Sequence, residues 1–307
     1  MSASDNNTPA LQVKELYCSY GKTEAVRGLS FTVERGRCYG LFGRNGAGKS
    51  TTIKCMLNLL RPQGGQVLVG GVDPLNDEVA VKHQVGYVPE VVAFHPWMTV
   101  RDVLNYHAAF RPTWNRDVQE RLLSQFDLDR DKRTDSMSKG MRSQLGLICA
   151  VCPQPDLLLL DEPTSGLDPI IRREFLQTVI GAYMESDPGR KTVLVSTHLI
   201  SEWEGMIDEF TIVDKGRALL TMETDAARQN CRRIYARWPG AVPSAQPAGL
   251  VLRPGQRGNG PTELLTTDYR PELLDELGAS GAENIEVEPL SLEDIFVATA
   301  GVRSAED

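Results

Sequence analysis

No stretch of this 307-residue chain approaches the roughly 18–20 uninterrupted apolar residues needed to cross a bilayer, so no membrane-spanning helix is expected. The opening MSASDNNTPA lacks the basic and apolar regions of a secretory leader, and residues 1–10 are expected to form a disordered tail. An excess of positive charge is also missing. Thirty-three basic against 41 acidic residues leave −8, which argues against a general nucleic-acid binder. The one basic cluster, RQNCRRIYAR (228–237), reads as a solvated face. Paired metal-ligand cysteines are absent. Cys149 and Cys152 form a C-x-x-C, but inside an apolar helical run and without a second pair, so they read as buried small hydrophobes. Scattered unpaired cysteines fit a reduced, cytoplasmic chain. No internal repeat is visible, which excludes a tandem duplication.

What is present has the composition of a globular protein, 41% hydrophobic and 24% charged, long enough for one large domain and a small one. LQVKELYCSY, Gly21 and EAVRGLSFTVERGRCYGLFG read as strands with a turn, then a glycine loop and a helix. From about residue 90 to 152 the pattern turns helical, with TVRDVLNYHAAF and NRDVQERLLSQFDL as amphipathic stretches. DLLLLDEP (156–163) restores a buried strand. A helix over about 170–184 follows, then the strand KTVLVSTH (191–198), another helix, and a hairpin around TIVDKGRALL. After Met222, proline- and glycine-rich segments separate short strands, and ENIEVEPLSLEDIFVATAG reads as a strand followed by a helix capped by Ser291. The expected organisation is an α/β domain over 11–222 and a small α+β accessory domain over 223–307.

GRNGAGKST (43–51) fits the phosphate-binding pattern G-x-x-x-x-G-K-[ST] in full, between an apolar strand and a helix. Glycines let successive backbone N–H groups face one concavity, Lys49 reaches terminal phosphates, and Ser50 offers a hard oxygen to Mg²⁺. In LLLLDEP, four leucines make a strand buried on both faces that carries Asp161 and Glu162 out at its C-terminal end. Asp161 is placed to hold Mg²⁺ and Glu162 to take a proton from an attacking water. A third feature is SMSKGMRSQLG (136–146), which reads as a Ser138-capped helix start and therefore a second place to hold an anion.

The order GRNGAGKST, SKGM, LLLLDEPTSGLDP, VSTH resembles the ATP-binding subunit of an ABC transporter, in the branch of single-domain bacterial exporters. The resemblance covers residues 11 to about 220. It implies a P-loop NTPase fold with a RecA-like core, an antiparallel β subdomain and a helical subdomain at about 90–152. ATP would lie on Gly43, Arg44, Asn45, Gly46, Ala47, Gly48, Lys49, Ser50 and Thr51, with Tyr20 stacked on adenine and Val26 packed nearby. Ser50, Asp161 and Glu90 would hold Mg²⁺, and Glu162 and His198 would be catalytic. Glu90 in VGYVPE stands where most members carry glutamine. A carboxylate about 4 Å from a phosphate charge is repelled by roughly 4 kcal/mol at an effective dielectric of 20, so Glu90 is expected to ligate the metal or swing away.

The resemblance also explains the second anion site. Ser138, Lys139, Gly140 and Met141 match a signature loop that completes the ATP site of an opposite subunit, although the usual motif has a second glycine and a glutamine where this chain has Lys139 and Met141. Ser165, Gly166, Leu167 and Asp168 match the loop lining the interface. The implied partners are a second copy or a paired ABC subunit in a head-to-tail ATP sandwich, and separate integral membrane permease chains. AFHPWMT (93–99) would offer Phe94 and Trp97 to that permease, and the chain would sit in the cytoplasm at the inner face of the membrane. Two other readings stay open: a soluble ABC-type ATPase not engaged in transport, and a nucleotide-binding regulator without turnover.

Overall fold

The computed structural model describes residues 8–165, 172, 180–239, 250–252 and 261–302, with the backbone alone at 250–252 and 301–302. The chain divides into two compact units. The first comprises residues up to 198 together with 213–218, and the second comprises 199–212 and 219 onward.

The first unit opens with β1 (Leu11–Tyr20) and β2 (Thr23–Val33), which pair antiparallel from Leu11↔Val33 to Tyr20↔Thr23. The long run read from Glu24 onward is two strands. The turn after Val33 ends β2 with positive-φ Gly36, and β3 (Cys38–Phe42) begins in a different sheet. After α1 (Lys49–Met56), β4 (Gly64–Val69) joins the other side of β1, giving a three-stranded sheet in the order β2-β1-β4. α2 (Glu78–Gln84) leads into β5 (Val85–Val88).

Three helices follow: α3 (Val100–Ala109), α4 (Arg116–Gln125) and α5 (Lys139–Val151). Each begins on a side chain that accepts a first-turn N–H, namely Thr99, Asn115 and Ser138. Thr99 and Asp102 form a reciprocal capping box. From Ser143 to Val151 every residue of α5 is buried, and the helix packs on β5. Both cysteines of the C-x-x-C lie there as unpaired buried thiols, and burial pushes Cys152 up to about 12.

β6 (Leu157–Asp161) and β7 (Thr192–Thr197) complete a parallel core in the order β5-β6-β7-β3. All residues of β3, β6 and β7 are buried, which is why leucine and valine run through them without polar alternation. Most of the helix expected over 170–184 lies outside the described residues, and Gly181–Glu185 is helical.

In the second unit, the helix expected after the 191–198 stretch is a single 3-10 turn, Ile200–Glu202. About ten residues separate two strands there, and fully buried Trp203 followed by Gly205 leaves no room for a longer helix. β8 (Glu209–Asp214) and β9 (Arg217–Glu223) form the expected hairpin, whose turn belongs to the first unit. Beyond the helix Thr224–Asn230, four antiparallel strands take the order β11-β12-β10-β13, from β10 (Arg232–Arg237), β11 (Leu250–Leu252), β12 (Thr262–Thr266) and β13 (Glu283–Pro289). Ile234, Ala236 and Leu264 form a small core with Leu273 and Leu277, which are one helical turn apart on Glu272–Ala279.

Several arginines of the basic cluster have partners within this unit. Arg228 pairs with Asp225, Arg232 lies over the Tyr269 ring, and Arg233 bridges Glu263 at 3.0 Å and Asp294 at 2.7 Å. Ser291 caps the helix Leu292–Val302, accepting from the Asp294 amide at 3.1 Å and donating to its carboxylate at 2.9 Å. Burial alone would raise the Asp294 pKa, but the bonds to Ser291 and Arg233 outweigh it and hold the group below its ordinary value. Its contribution to stability is therefore present above the unfolded pKa and lost as pH falls through the folded one. Ser291→Ala is expected to cost about 1 kcal/mol, read as faster amide hydrogen exchange across residues 292–302 at neutral pH.

Candidate functional site

Residues 43–51 leave β3 and turn directly into α1. Gly48 has φ +104, and a Cβ there would stand 2.4 Å from the carbonyl oxygen of Ala25, so glycine alone fits. At Gly46 (φ +82) an added Cβ would meet nothing within 4 Å, so the loop is bare on that side. α1 starts with neither a side-chain cap nor an acidic residue in its first turn. Its leading amides thus have no side-chain acceptor, the arrangement that receives an anion. The loop is pinned from behind: the Gly216 amide donates to Ala47 at 2.9 Å, and the Gly216 carbonyl accepts from Arg27 at 2.8 Å.

The carboxylates arrive from the neighbouring strand. β6 and β7 pair in parallel with Asp161 opposite Ser196, and β7 pairs with β3 so that Thr197 lies opposite Phe42. The C-terminal ends of three strands and the start of the phosphate loop therefore meet. Asp161 Oδ1 accepts from Ser50 at 3.0 Å and from Ser196 at 2.9 Å. Glu162 is held more heavily. Its Oε1 lies 3.3 Å from Lys49 Nζ and 2.9 Å from His198 Nδ1, and its Oε2 accepts from Thr197 Oγ1 at 3.0 Å. Its own amide donates to the Ser196 carbonyl at 2.8 Å. Glu162 has φ +46 and precedes Pro163, a conformation that carries strain of order 1–3 kcal/mol and persists where surrounding bonds over-determine it.

Lys49 and Glu162 are each about 6% exposed, so this is a buried ion pair. Lys49 also donates to the carbonyls of Gly43 (2.8 Å) and Arg44 (3.3 Å), which fixes the ammonium beside the loop. A phosphate reaching this loop would compete with Glu162 for the ammonium.

Burial pushes the Asp161 pKa up; the Ser50 and Ser196 hydroxyls pull it back, and the charges of Glu162 and Glu90 push it higher again. Glu90, exposed after β5, is thus within electrostatic reach of Asp161. A divalent cation among these oxygens would relieve the repulsion. Among the described residues no cluster of three or more His, Cys, Asp or Glu side chains could hold a metal by itself. A bare amide cradle, a serine hydroxyl and two carboxylates do fit a phosphate-bound Mg²⁺, which takes one or two protein oxygens and completes its shell with phosphate and water.

The remaining expected residues are dispersed. Val26 is buried in the same core cluster as Ala47, while Tyr20 is about half exposed at the tip of the β1–β2 hairpin. Ser138 caps α5, its oxygen accepting from Met141 at 3.2 Å. Lys139 Nζ approaches Ser165 Oγ at 3.4 Å, and the Ser165 amide donates to the Glu162 carbonyl at 3.0 Å. Gly166, Leu167 and Asp168 lie outside the described residues. Sequence reasoning missed Ser196 and Thr197. The signal was two hydroxyls closing the otherwise apolar VLVST of a fully buried strand.

Residues 26–165 match the family model described as ABC transporter. The chain is 31% identical to the bacitracin transport ATP-binding protein BcrA of Bacillus licheniformis over 73% of its own length and 72% of that protein's. It is 33% identical to the Nod factor export ATP-binding protein I of Ralstonia nicotianae, covering 69% of this chain and 67% of that one. Among solved structures, an ATP-binding subunit of an ABC transporter superposes with a TM-score of 0.65 at 30% identity, over 72% of this chain and 92% of the other. A dimeric bacterial ABC transporter cassette at 20% identity shares the fold, with a TM-score of 0.62. With the phosphate loop, the paired carboxylates and the strand-end histidine assembled in one place, the chain belongs to the ABC transporter family as an ATP-binding protein with the P-loop cassette fold.

Proposed function

We propose that this chain hydrolyses ATP to power export through separate permease subunits, working as one half of a head-to-tail pair. The observation that carries the reading is the convergence on Glu162, a buried carboxylate within reach of Lys49, Thr197 and His198. In this reading residues 43–51 bind the phosphates and Tyr20 stacks on the base, with Val26 beside it. Ser50, Asp161 and Glu90 would hold Mg²⁺, which would supply positive charge at the terminal phosphates. Lys49 leaves Glu162 for the terminal phosphate, which frees Oε1 to accept a proton as water attacks phosphorus and ADP leaves. His198, 2.9 Å from that oxygen, orients the carboxylate and the water.

Ser138, Lys139, Gly140 and Met141 would act on the nucleotide of the second subunit, and Ser165, Gly166, Leu167 and Asp168 would line the contact between the two. The exposed N-terminus of α5, with its Ser138 cap, supports this. The dimeric cassette among the solved structures shares the fold such a pair would use.

A permease needs a dock, and the first unit has a groove of about 600 Å³ between α2, α3, α5 and the segment that follows α1. Phe94, Tyr106 and Phe110 supply aromatic surface, and Tyr106 and Phe110 are both more than half exposed. Its two charged lining residues, Lys82 and Arg111, are basic, and Lys82 is paired with Glu78. Burial lowers the Arg111 pKa, and its guanidinium donates to the carbonyls of Lys82 and Val85. An amphipathic permease segment bearing a carboxylate fits this groove, with Trp97 exposed nearby. Among the described residues no helix is long and apolar enough to cross a membrane, which agrees with a separate permease and a position on the inner membrane face. The name of one relative, Nod factor export, favours export.

Glu162→Gln is expected to bind Mg²⁺–ATP and form a stable dimer by light scattering, with turnover reduced at least about a hundredfold. Turnover at the parental rate would remove Glu162 as the base. Lys49→Ala is expected to lose ATP affinity itself, measured by calorimetry. Phe110→Ala with Arg111→Glu is expected to leave ATP binding intact and abolish co-purification of a membrane permease with this chain.

A further inference from the structure

Asp161 and Ser196 face each other across the β6–β7 pairing, and both side chains are almost wholly buried. Ser196 Oγ donates to Asp161 Oδ1 at 2.9 Å, while the Ser196 carbonyl accepts the Glu162 amide at 2.8 Å. One residue therefore touches both members of the carboxylate pair, the first by its side chain and the second by its backbone. The other donor to Asp161 is Ser50, itself a residue expected to give its oxygen to Mg²⁺. Two hydroxyls on Oδ1 occupy that oxygen, and among the described residues none donates to Oδ2. The carboxylate is thereby tied through one oxygen, which leaves its second oxygen open to a further partner.

We propose that Ser196 is a positioning residue for the metal: its hydroxyl fixes the orientation of Asp161 so that Oδ2 faces Mg²⁺ or a water bound to it. This rests on the Mg²⁺–ATP reading given above. Among neighbours that are otherwise valine, leucine and threonine, a serine at the strand position opposite Asp161 has no packing advantage over valine. Its polar atom is explained by the bond it makes, since an unpaired buried hydroxyl is costly. Ser50 supplies one bond to this oxygen, and Ser196, which has no expected bond to the metal, supplies the second.

The test compares Ser196→Ala and Ser196→Thr with the parent, using Mn²⁺ as the probe ion. Mn²⁺ affinity of the ATP complex is followed by electron paramagnetic resonance, and ATP affinity in EDTA by calorimetry. Ser196→Ala is expected to weaken Mn²⁺ about tenfold, the scale of one hydrogen bond to a charged group, with ATP affinity in EDTA unchanged. Ser196→Thr, which keeps the hydroxyl, is expected to restore most of the Mn²⁺ affinity. Unchanged Mn²⁺ affinity in Ser196→Ala overturns the proposal, and so does an equal loss of ATP affinity in EDTA, which would mark a packing role. If the parent binds ATP no more tightly with Mn²⁺ than in EDTA, the Mg²⁺–ATP reading fails first, and the positioning role falls with it.

Discussion

In-register parallel pairing of β6 with β7 and β7 with β3 is the constraint on which the charged groups depend. It brings Asp161 opposite Ser196 and Thr197 opposite Phe42, so the polar residues that close β6 and β7 come together beside the end of β3. A slip of one residue would turn Asp161 into the opposite face, among side chains that are all buried and largely aliphatic, where an ionised carboxylate without partners is very costly. The leucines and valines of the strand interiors therefore do more than fill the core. They leave the polar ends only one satisfactory register.

The same edge stores its chemistry in a balanced form. Lys49 and Glu162 neutralise each other in a buried position, where breaking such a pair without replacement is strongly destabilising. In the proposed reading a phosphate would supply that replacement for Lys49, and the bonds from Thr197 and His198 would keep Glu162 aimed once the ammonium had gone. The left-handed backbone at Glu162 is tolerated because its amide, its carbonyl and both carboxylate oxygens all have partners. Strain and the proposed function coincide at this residue for the same reason: the surroundings determine its position several times over.

Much of this was legible from residue order. The glycines and lysine of 43–51, the four leucines before Asp161, and the Ser138 and Ser291 caps each act through neighbours within a few positions. Local spacing is therefore enough to read them. The helix expected after the 191–198 stretch was not legible in the same way, because a fully buried Trp203 decides that segment through its tertiary packing. Ser196 and Thr197 escaped notice because a hydroxyl at the end of a valine-rich strand has no meaning until the strand beside it is known. The basic cluster at 228–237 likewise acquired its partners, Glu263 and Asp294, from residues far along the chain.

By itself the sequence determined the phosphate loop, the two carboxylates and the family, since each is written as a short contiguous pattern whose chemistry follows from residue type and spacing. Tertiary structure alone decided that Glu162 is engaged by Lys49, that Asp161 has one oxygen tied by two serines, and that a basic-edged aromatic groove opens between helices. These are contacts between residues as much as 113 positions apart, Lys49 and Glu162 among them. Their geometry follows from strand register and helix packing, which only the folded chain as a whole sets.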